Sequence, residues 1–140
     1  MKRNAIKGKW SPAVNVWLER VEYDLETARA MLKTGRYLYV VFMCQQAVEK
    51  TLKALLSLLG KEVKPIHNLS KLASFAELLP ELNEEQGVFI DDLSAYYLNA
   101  RYKETIANLA KTIGKHEARI YLHKTKDLIT WLIQKMKSSR

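Results

Sequence analysis

The stretch YLYVVFMCQQAVEKTLKALLSLL, residues 37–59, decides the fold of this chain. At about 100° per residue its apolar side chains fall on one broad arc, which predicts a long helix in a bundle core. The opposite side carries a narrow polar stripe with spacing i, i+3, i+4 and i+7: Gln46, Glu49, Lys50 and Lys53. Such a stripe is either a functional surface or an ordinary solvated helix face, and the pattern leaves both open.

Helix signals continue on both sides of this stretch. The pair Ser11-Pro12 predicts the start of a preceding helix, and Gly35 predicts its end. Because the turn between these two helices is very short, we expect them to run antiparallel. A short third helix is predicted from about Leu69 to about Leu79, where Pro80 ends it.

Two further helices are predicted in the second half, from Glu84 to about Leu98 and from about Lys115 to Met136. The segment between them, to about Lys111, is interpreted as a loop or an irregular turn of helix. Few glycines and prolines interrupt the chain, which favours helices over many short strands. The sequence therefore predicts an all-α, up-and-down helical bundle of four main helices plus a short extra helix. It forms one domain over residues 1–140, with its core at about 12–137.

The net charge of +8 is unevenly distributed, since residues 101–140 carry ten Lys or Arg against three Asp or Glu. Residues 72–100, in contrast, carry six acids and no Lys or Arg. Basic patches attract phosphate backbones, although excess lysine is also typical of soluble proteins that bind no nucleic acid.

Several classes of site are excluded by what the sequence lacks. The glycines are isolated, so no phosphate-binding loop is predicted, and no His, Cys or carboxylate cluster has metal-ligand spacing. We therefore predict neither a metal nor a cofactor. The single cysteine, Cys44, lies inside a helix and is interpreted as a small buried side chain. With no signal peptide and no apolar run long enough to span a membrane, we expect a cytoplasmic protein.

One histidine occupies a position where a ligand contact is plausible. His67 comes just before the third predicted helix, beside its positive dipole end. A lone histidine at such a place most often serves in local hydrogen bonding or packing. A phosphate contact is the alternative.

Four motifs stand in order along the chain. They are Trp17-Leu18 followed by Tyr23-Asp24-Leu25, then Gly35-Arg36-Tyr37 leading to Gln45-Gln46-Ala47-Val48-Glu49-Lys50, then His67-Asn68-Leu69, and last Tyr96-Tyr97 with Arg101-Tyr102. On these motifs, the chain from about Pro12 to Lys137 resembles a HEPN domain (higher eukaryotes and prokaryotes nucleotide-binding).

The resemblance implies a helical bundle that usually dimerises and is often paired with a minimal nucleotidyltransferase, in some cases as toxin and antitoxin. Ribonuclease members of that family carry an arginine followed four to six residues later by a histidine. Here the first histidine after Arg101 is His116, and only three residues separate Arg119 from His123. The missing motif favours the branch of the family that binds a nucleotide or a partner.

Three functions follow as hypotheses. The first is a homodimer that binds nucleotide or RNA phosphate and acts with a nucleotidyltransferase partner. Its candidate surface is Gln46, Glu49, Lys53, His67, Arg101 and Tyr102. The second is a metal-independent RNase toxin, in which Arg101 stabilises negative charge and His67, His116 or His123 transfers protons. The third is a non-catalytic homodimeric interaction module.

Overall fold

The computed structural model describes residues 10–97 and 103–139, apart from the side chains of residues 103–106 and 109. This part of the chain contains no strand. Its six helices are α1 (Pro12–Lys33), α2 (Tyr37–Leu58), α3 (Leu69–Phe75), α4 (Glu84–Ser94), α5 (Lys103–Thr112) and α6 (Lys115–Ser138). The prediction of an all-α bundle is therefore confirmed.

Helix α2 lies at the centre of the bundle. It packs most extensively against α1 and then against α6, with smaller contacts to α3 and α4. Leu52 and Leu56 are fully buried in it, and burial of each such side chain contributes roughly 1.5–3 kcal/mol. The neighbouring helices supply the other large, fully buried apolar side chains, which include Leu18, Leu25, Leu69, Leu72, Ile90, Leu93, Ile129, Leu132 and Met136. Both faces of α2 are consequently covered along most of its length.

Glycines end α1 and α2 where the sequence predicts. Gly35 has a φ of 77° and Gly60 a φ of 69°, in the left-handed region that glycine enters without steric cost. After Gly35 the chain turns back, and the Arg36 amide donates to the Met31 carbonyl at 2.9 Å. This closed turn makes α1 and α2 an antiparallel pair.

Helix α3 is shorter than predicted. It ends at Phe75 because Glu77 takes a left-handed conformation, with a φ of 56°, and lets the Leu78 amide donate to the Ala73 carbonyl at 2.9 Å. Pro80 instead lies in a 3₁₀ turn, Leu79–Glu81. The prediction that proline ends this helix was wrong, because the end is set by a turn that a non-glycine residue forms.

Helix α4 also ends early, at Ser94 instead of Leu98. Beyond it the Tyr96 amide donates to the Leu93 carbonyl at 3.0 Å. This bond spans three residues, as in a 3₁₀ turn, and so the α-helical pattern ends here. The segment ending near Lys111 contains the regular helix α5, so the loop interpretation was wrong for residues 103–111. The alternative, an irregular turn of helix, was right in type but underestimated the regularity of the helix, and the start of the segment lies outside the described residues. Its lysines, alanines and leucine are good helix formers, and this local preference explains the helix.

Candidate functional site

A buried carboxylate on α2 holds the centre of a polar network. Glu49 is only 4% exposed. Its Oε1 accepts from Nδ1 of His67 at 3.0 Å and from Nε2 of Gln45 at 3.2 Å, and its Oε2 accepts from Nζ of Lys53 at 3.0 Å. Lys53 is itself 6% exposed. The solvated-face interpretation of the polar stripe is therefore wrong for both members of this ion pair.

Gln45 connects the network to the loop before α3. Its fully buried amide also donates to the His67 carbonyl at 3.0 Å, and its Oε1 accepts from Nε2 of Gln46 at 2.8 Å. Gln45 thus fixes the Glu49 carboxylate and the His67 backbone together. Sequence reasoning missed it because it lies at the edge of the apolar arc. The sequence signal for it was the adjacent pair Gln45-Gln46, because a glutamine that is buried on a helix needs hydrogen-bond partners nearby.

One ring nitrogen of His67, Nδ1, is hydrogen-bonded to Glu49. A carboxylate oxygen can only accept, so Nδ1 carries a proton and donates it to Glu49. The ring stacks on Tyr97, with centroids 3.7 Å apart and planes 8° apart. The side chain is still 42% exposed. Within the described residues Nε2 makes no hydrogen bond, which leaves it as the ring nitrogen for a ligand.

A second ion pair joins α1 to α2 beside the network. Nζ of Lys50 donates to Oδ2 of the buried Asp24. Burial raises the pKa of the Asp24 carboxyl above its ordinary 3.8, outweighing the lowering by Lys50. The Arg20 guanidinium and Lys53 Nζ lie 5.0 and 5.8 Å from the Trp17 ring centroid, within cation–π range. Three cations therefore gather between α1 and α2.

Aromatic rings extend from the network toward the start of α2. Tyr97 meets Phe42 at a centroid distance of 6.3 Å, and Phe42 meets Tyr39 at 6.4 Å. Tyr39 is exposed, whereas Phe42 and Tyr97 are half-buried. We refer to Tyr39, Phe42, Tyr97 and His67 as the aromatic row.

The structure connects four of the residues predicted for the site. Gln46, Glu49, Lys53 and His67 belong to one hydrogen-bonded network. Arg101 and Tyr102 lie outside the described residues. The other two histidines are exposed on α6, where Nε2 of His123 lies 3.3 Å from Oδ2 of Asp127. His67, in contrast, lies in the loop before α3.

The described residues also form a cavity and bury a cysteine, but they contain no metal-ligand cluster and no helix that could span a membrane. A cavity of about 250 Å³ lies between α4 and α6, lined by Phe89, Leu128 and Trp131 with polar neighbours. Burial raises the pKa of the Cys44 thiol to about 12, so the reactive thiolate is suppressed. In residues 10–97 and 103–139, no three His, Cys, Asp or Glu side chains lie close enough to hold a metal ion. None of the described helices has the length and apolarity that crossing a membrane requires.

Comparison with known proteins identifies the family. The HEPN domain model matches residues 14–136, and the chain therefore belongs to the HEPN domain family. The crystal structure of TT1696 from Thermus thermophilus is similar, with a TM-score of 0.72 and 25% identity, and the match covers 88% of this chain and 97% of that one. The crystal structure of ST0689, an archaeal HEPN homologue, has a TM-score of 0.66 and 24% identity, and the match again covers 88% of this chain and 97% of that one. This second match is evidence of the fold alone.

One curated relative is similar over a short stretch. The protein named "Putative toxin MJ1304", from Methanocaldococcus jannaschii, is 47% identical over 45 residues. That stretch is 32% of this chain and 30% of the relative, so the match spans less than a third of either protein.

Proposed function

We propose that this protein binds the phosphate of a nucleotide or RNA at the polar network of α2 and the α3 loop. One observation carries the proposal: Glu49 holds the partly exposed His67 ring by Nδ1 and thereby leaves Nε2 to a ligand, while Lys50 on the same helix is a partly exposed cation. A charged donor to a phosphate oxygen forms a short, strong hydrogen bond. Arg101 and Tyr102 are proposed as further members of this surface from the sequence resemblance.

The charges of the network suit an anion. Asp24 and Glu49 are each engaged by a lysine, while Arg20 adds a third cation. The surface therefore carries an excess of positive charge even with both carboxylates ionised. Phosphate is the anion for which arginine and lysine side chains are the usual protein partners.

The binding test compares two histidines with different surroundings. We expect His67→Ala to weaken the binding of AMP or of a short RNA by roughly 10- to 150-fold, the loss of one charge-assisted hydrogen bond. Isothermal titration calorimetry measures it. His123→Ala on α6 is the matched control and should leave the affinity unchanged. Equal affinities for the wild type and the His67 variant would contradict the proposal.

We further propose that the protein is the toxin of a toxin–antitoxin pair, a cytoplasmic homodimer that acts with a minimal nucleotidyltransferase partner. The short match to a protein named as a toxin supports this, together with membership of the HEPN family. Expression of the chain alone should arrest growth of a bacterial host, and co-expression of the partner should restore it. Unimpaired growth at high expression would argue against the toxin role.

A second candidate function is metal-independent RNA cleavage. The Glu49–His67 contact favours it, because a carboxylate that holds Nδ1 leaves Nε2 oriented for proton transfer. The test is an RNA cleavage assay in excess EDTA with the wild type, Arg101→Ala and His67→Ala. Cleavage that is lost in both variants would favour the enzyme, whereas cleavage that survives removal of all three histidines would exclude this mechanism.

A further inference from the structure

We propose that the cavity between α4 and α6 binds a small organic cation whose body is a flat aromatic ring. This site is separate from the polar network of α2, because none of the described residues proposed for phosphate binding lines it. Three observations carry the inference: an apolar floor with two aromatic rings, a rim with more carboxylates than cations, and a lysine ammonium group already over each ring.

The cavity lies where α4 and α6 meet through side chains. The backbone of α4 packs against α3 and α2, and its Phe89 ring reaches Tyr121 of α6 with centroids 5.9 Å apart. Phe89 and Leu128 are 7% and 3% exposed, and together with the half-buried Trp131 they form the floor. A concave apolar site with a few polar groups is the usual form of a ligand pocket. The volume of about 250 Å³ is below the roughly 300–1,000 Å³ of sites for drug-sized molecules, so it suits one or two fused rings.

The rim of the cavity is charged, and carboxylates predominate in it. Glu85 in the first turn of α4 and Asp127 on α6 are both exposed lining residues, whereas Lys124 is the one cation among the described residues that line the cavity. Glu85 forms no ion pair with another described residue. Residues 72–100, which include all of α4, carry six acids and no Lys or Arg. Charge complementarity therefore favours a cation over an anion at this rim.

The two aromatic rings of the floor are already in contact with ammonium groups. Nζ of Lys124 lies 5.9 Å from the Phe89 centroid. Nζ of Lys135 lies 5.1 Å from the Trp131 centroid and forms an ion pair with Glu81 at 2.6 Å. Lys124, in contrast, is exposed and has no carboxylate partner within the described residues. Because an exposed cation–π contact is weak, a ligand cation held by two carboxylates can displace the Lys124 ammonium from the Phe89 ring.

The test uses three probes that share one ring system and differ in charge: tryptamine is a cation, indole is neutral and indole-3-acetate is an anion. Proton–nitrogen correlation NMR of the full chain follows each titration through the indole N–H signal of Trp131. A Trp131→Phe variant assigns this signal among the three tryptophans. Tryptamine should shift it with the highest affinity of the three probes, and indole-3-acetate with the lowest.

Variants of the rim test the contribution of charge. Glu85→Gln and Asp127→Asn should each weaken tryptamine binding by roughly 1.5- to 5-fold, as expected for one exposed ion pair, and should leave indole binding unchanged. Glu84→Gln is the matched control, since it removes the same charge from the same turn of α4 but Glu84 does not line the cavity. Lys124→Gln should strengthen tryptamine binding, because it removes the competing ammonium group from the Phe89 ring.

The inference is overturned if indole or indole-3-acetate binds as tightly as tryptamine, since the rim would then not select for positive charge. Equal weakening of tryptamine binding by Glu85→Gln and Glu84→Gln would also overturn it, as would a Trp131 signal that no probe shifts at millimolar concentration. AMP should leave the Trp131 signal in place and should not compete with tryptamine. Competition between them would place both ligands on one surface and overturn a separate cation site, whereas failure of AMP to bind would contradict the phosphate proposal alone.

Discussion

Removing the negative charge at the centre of the polar network should destabilise the fold strongly. Glu49→Gln keeps the size of the side chain but replaces one accepting carboxylate oxygen with an NH₂ group, which can only donate. Glu49 faces three donors, from Gln45, His67 and Lys53. In either orientation of the new amide, its donor therefore meets another donor inside the protein.

The magnitude follows from the burial of the pair. Both Glu49 and Lys53 are more than nine-tenths buried, and loss of one partner of a buried ion pair costs roughly 3–5 kcal/mol. For this chain of 140 residues, at about 2–4 °C per kcal/mol, this corresponds to a Tm lowered by roughly 6–20 °C. Urea unfolding followed by circular dichroism measures the free energy of unfolding.

Two variants separate this effect from a general loss of charge. Glu62→Gln removes an exposed partner of Lys64 and should cost less than about 1 kcal/mol. The double variant Glu49→Gln with Lys53→Met removes the stranded cation and should recover much of the loss. The reasoning is refuted if Glu49→Gln costs no more than Glu62→Gln, or if the double variant is no more stable than Glu49→Gln.

Three further predictions concern single side chains. Because burial raises the pKa of Asp24 above 3.8, its contribution to stability is full below that pH and is lost as pH rises through the folded pKa. The stability of the wild type relative to Asp24→Asn should therefore fall as the pH rises above about 3.8 in urea titrations. Glu77→Gly should stabilise the fold by up to about 1 kcal/mol in the same assay, since glycine takes the left-handed φ without strain. Cys44, with a thiol pKa near 12, should react with iodoacetamide at pH 8 only after unfolding, as mass spectrometry would show.

The parts of the fold that local chemistry controls were predictable. Ser11 accepts from the Val14 amide and Asn83 from the Gln86 amide, as N-cap residues do. Gly35 ends its helix because the left-handed turn suits glycine. Glu77 takes the same conformation without that sequence signal. Its turn forms next to Leu78, which is almost fully buried in the core, so the end of α3 depends on tertiary packing.

The candidate site was predictable in its residue types but not in its burial. The i, i+4 spacing of Glu49 and Lys53 indicates that their side chains are neighbours on a helix. Their burial depends on other elements, since the His67 loop approaches the carboxylate and Trp17 of α1 lies beside the lysine. Helical spacing describes one helix at a time. The contact between Asp24 and Lys50, which are 26 residues apart, therefore has no signature in the sequence.

The energetics of this network support a role beyond stability. Apolar side chains of similar volume often stabilise a protein as well as a buried ion pair does, because two desolvated charges recover little net free energy. The bundle also has an extensive leucine core, so an apolar pair in place of Glu49 and Lys53 would pack against side chains of the same kind. The same carboxylate also fixes one nitrogen of His67 and leaves the other to a ligand. Orientation of that ring is a gain that an apolar replacement could not provide, and it gives a physical reason for charged groups at the centre of α2.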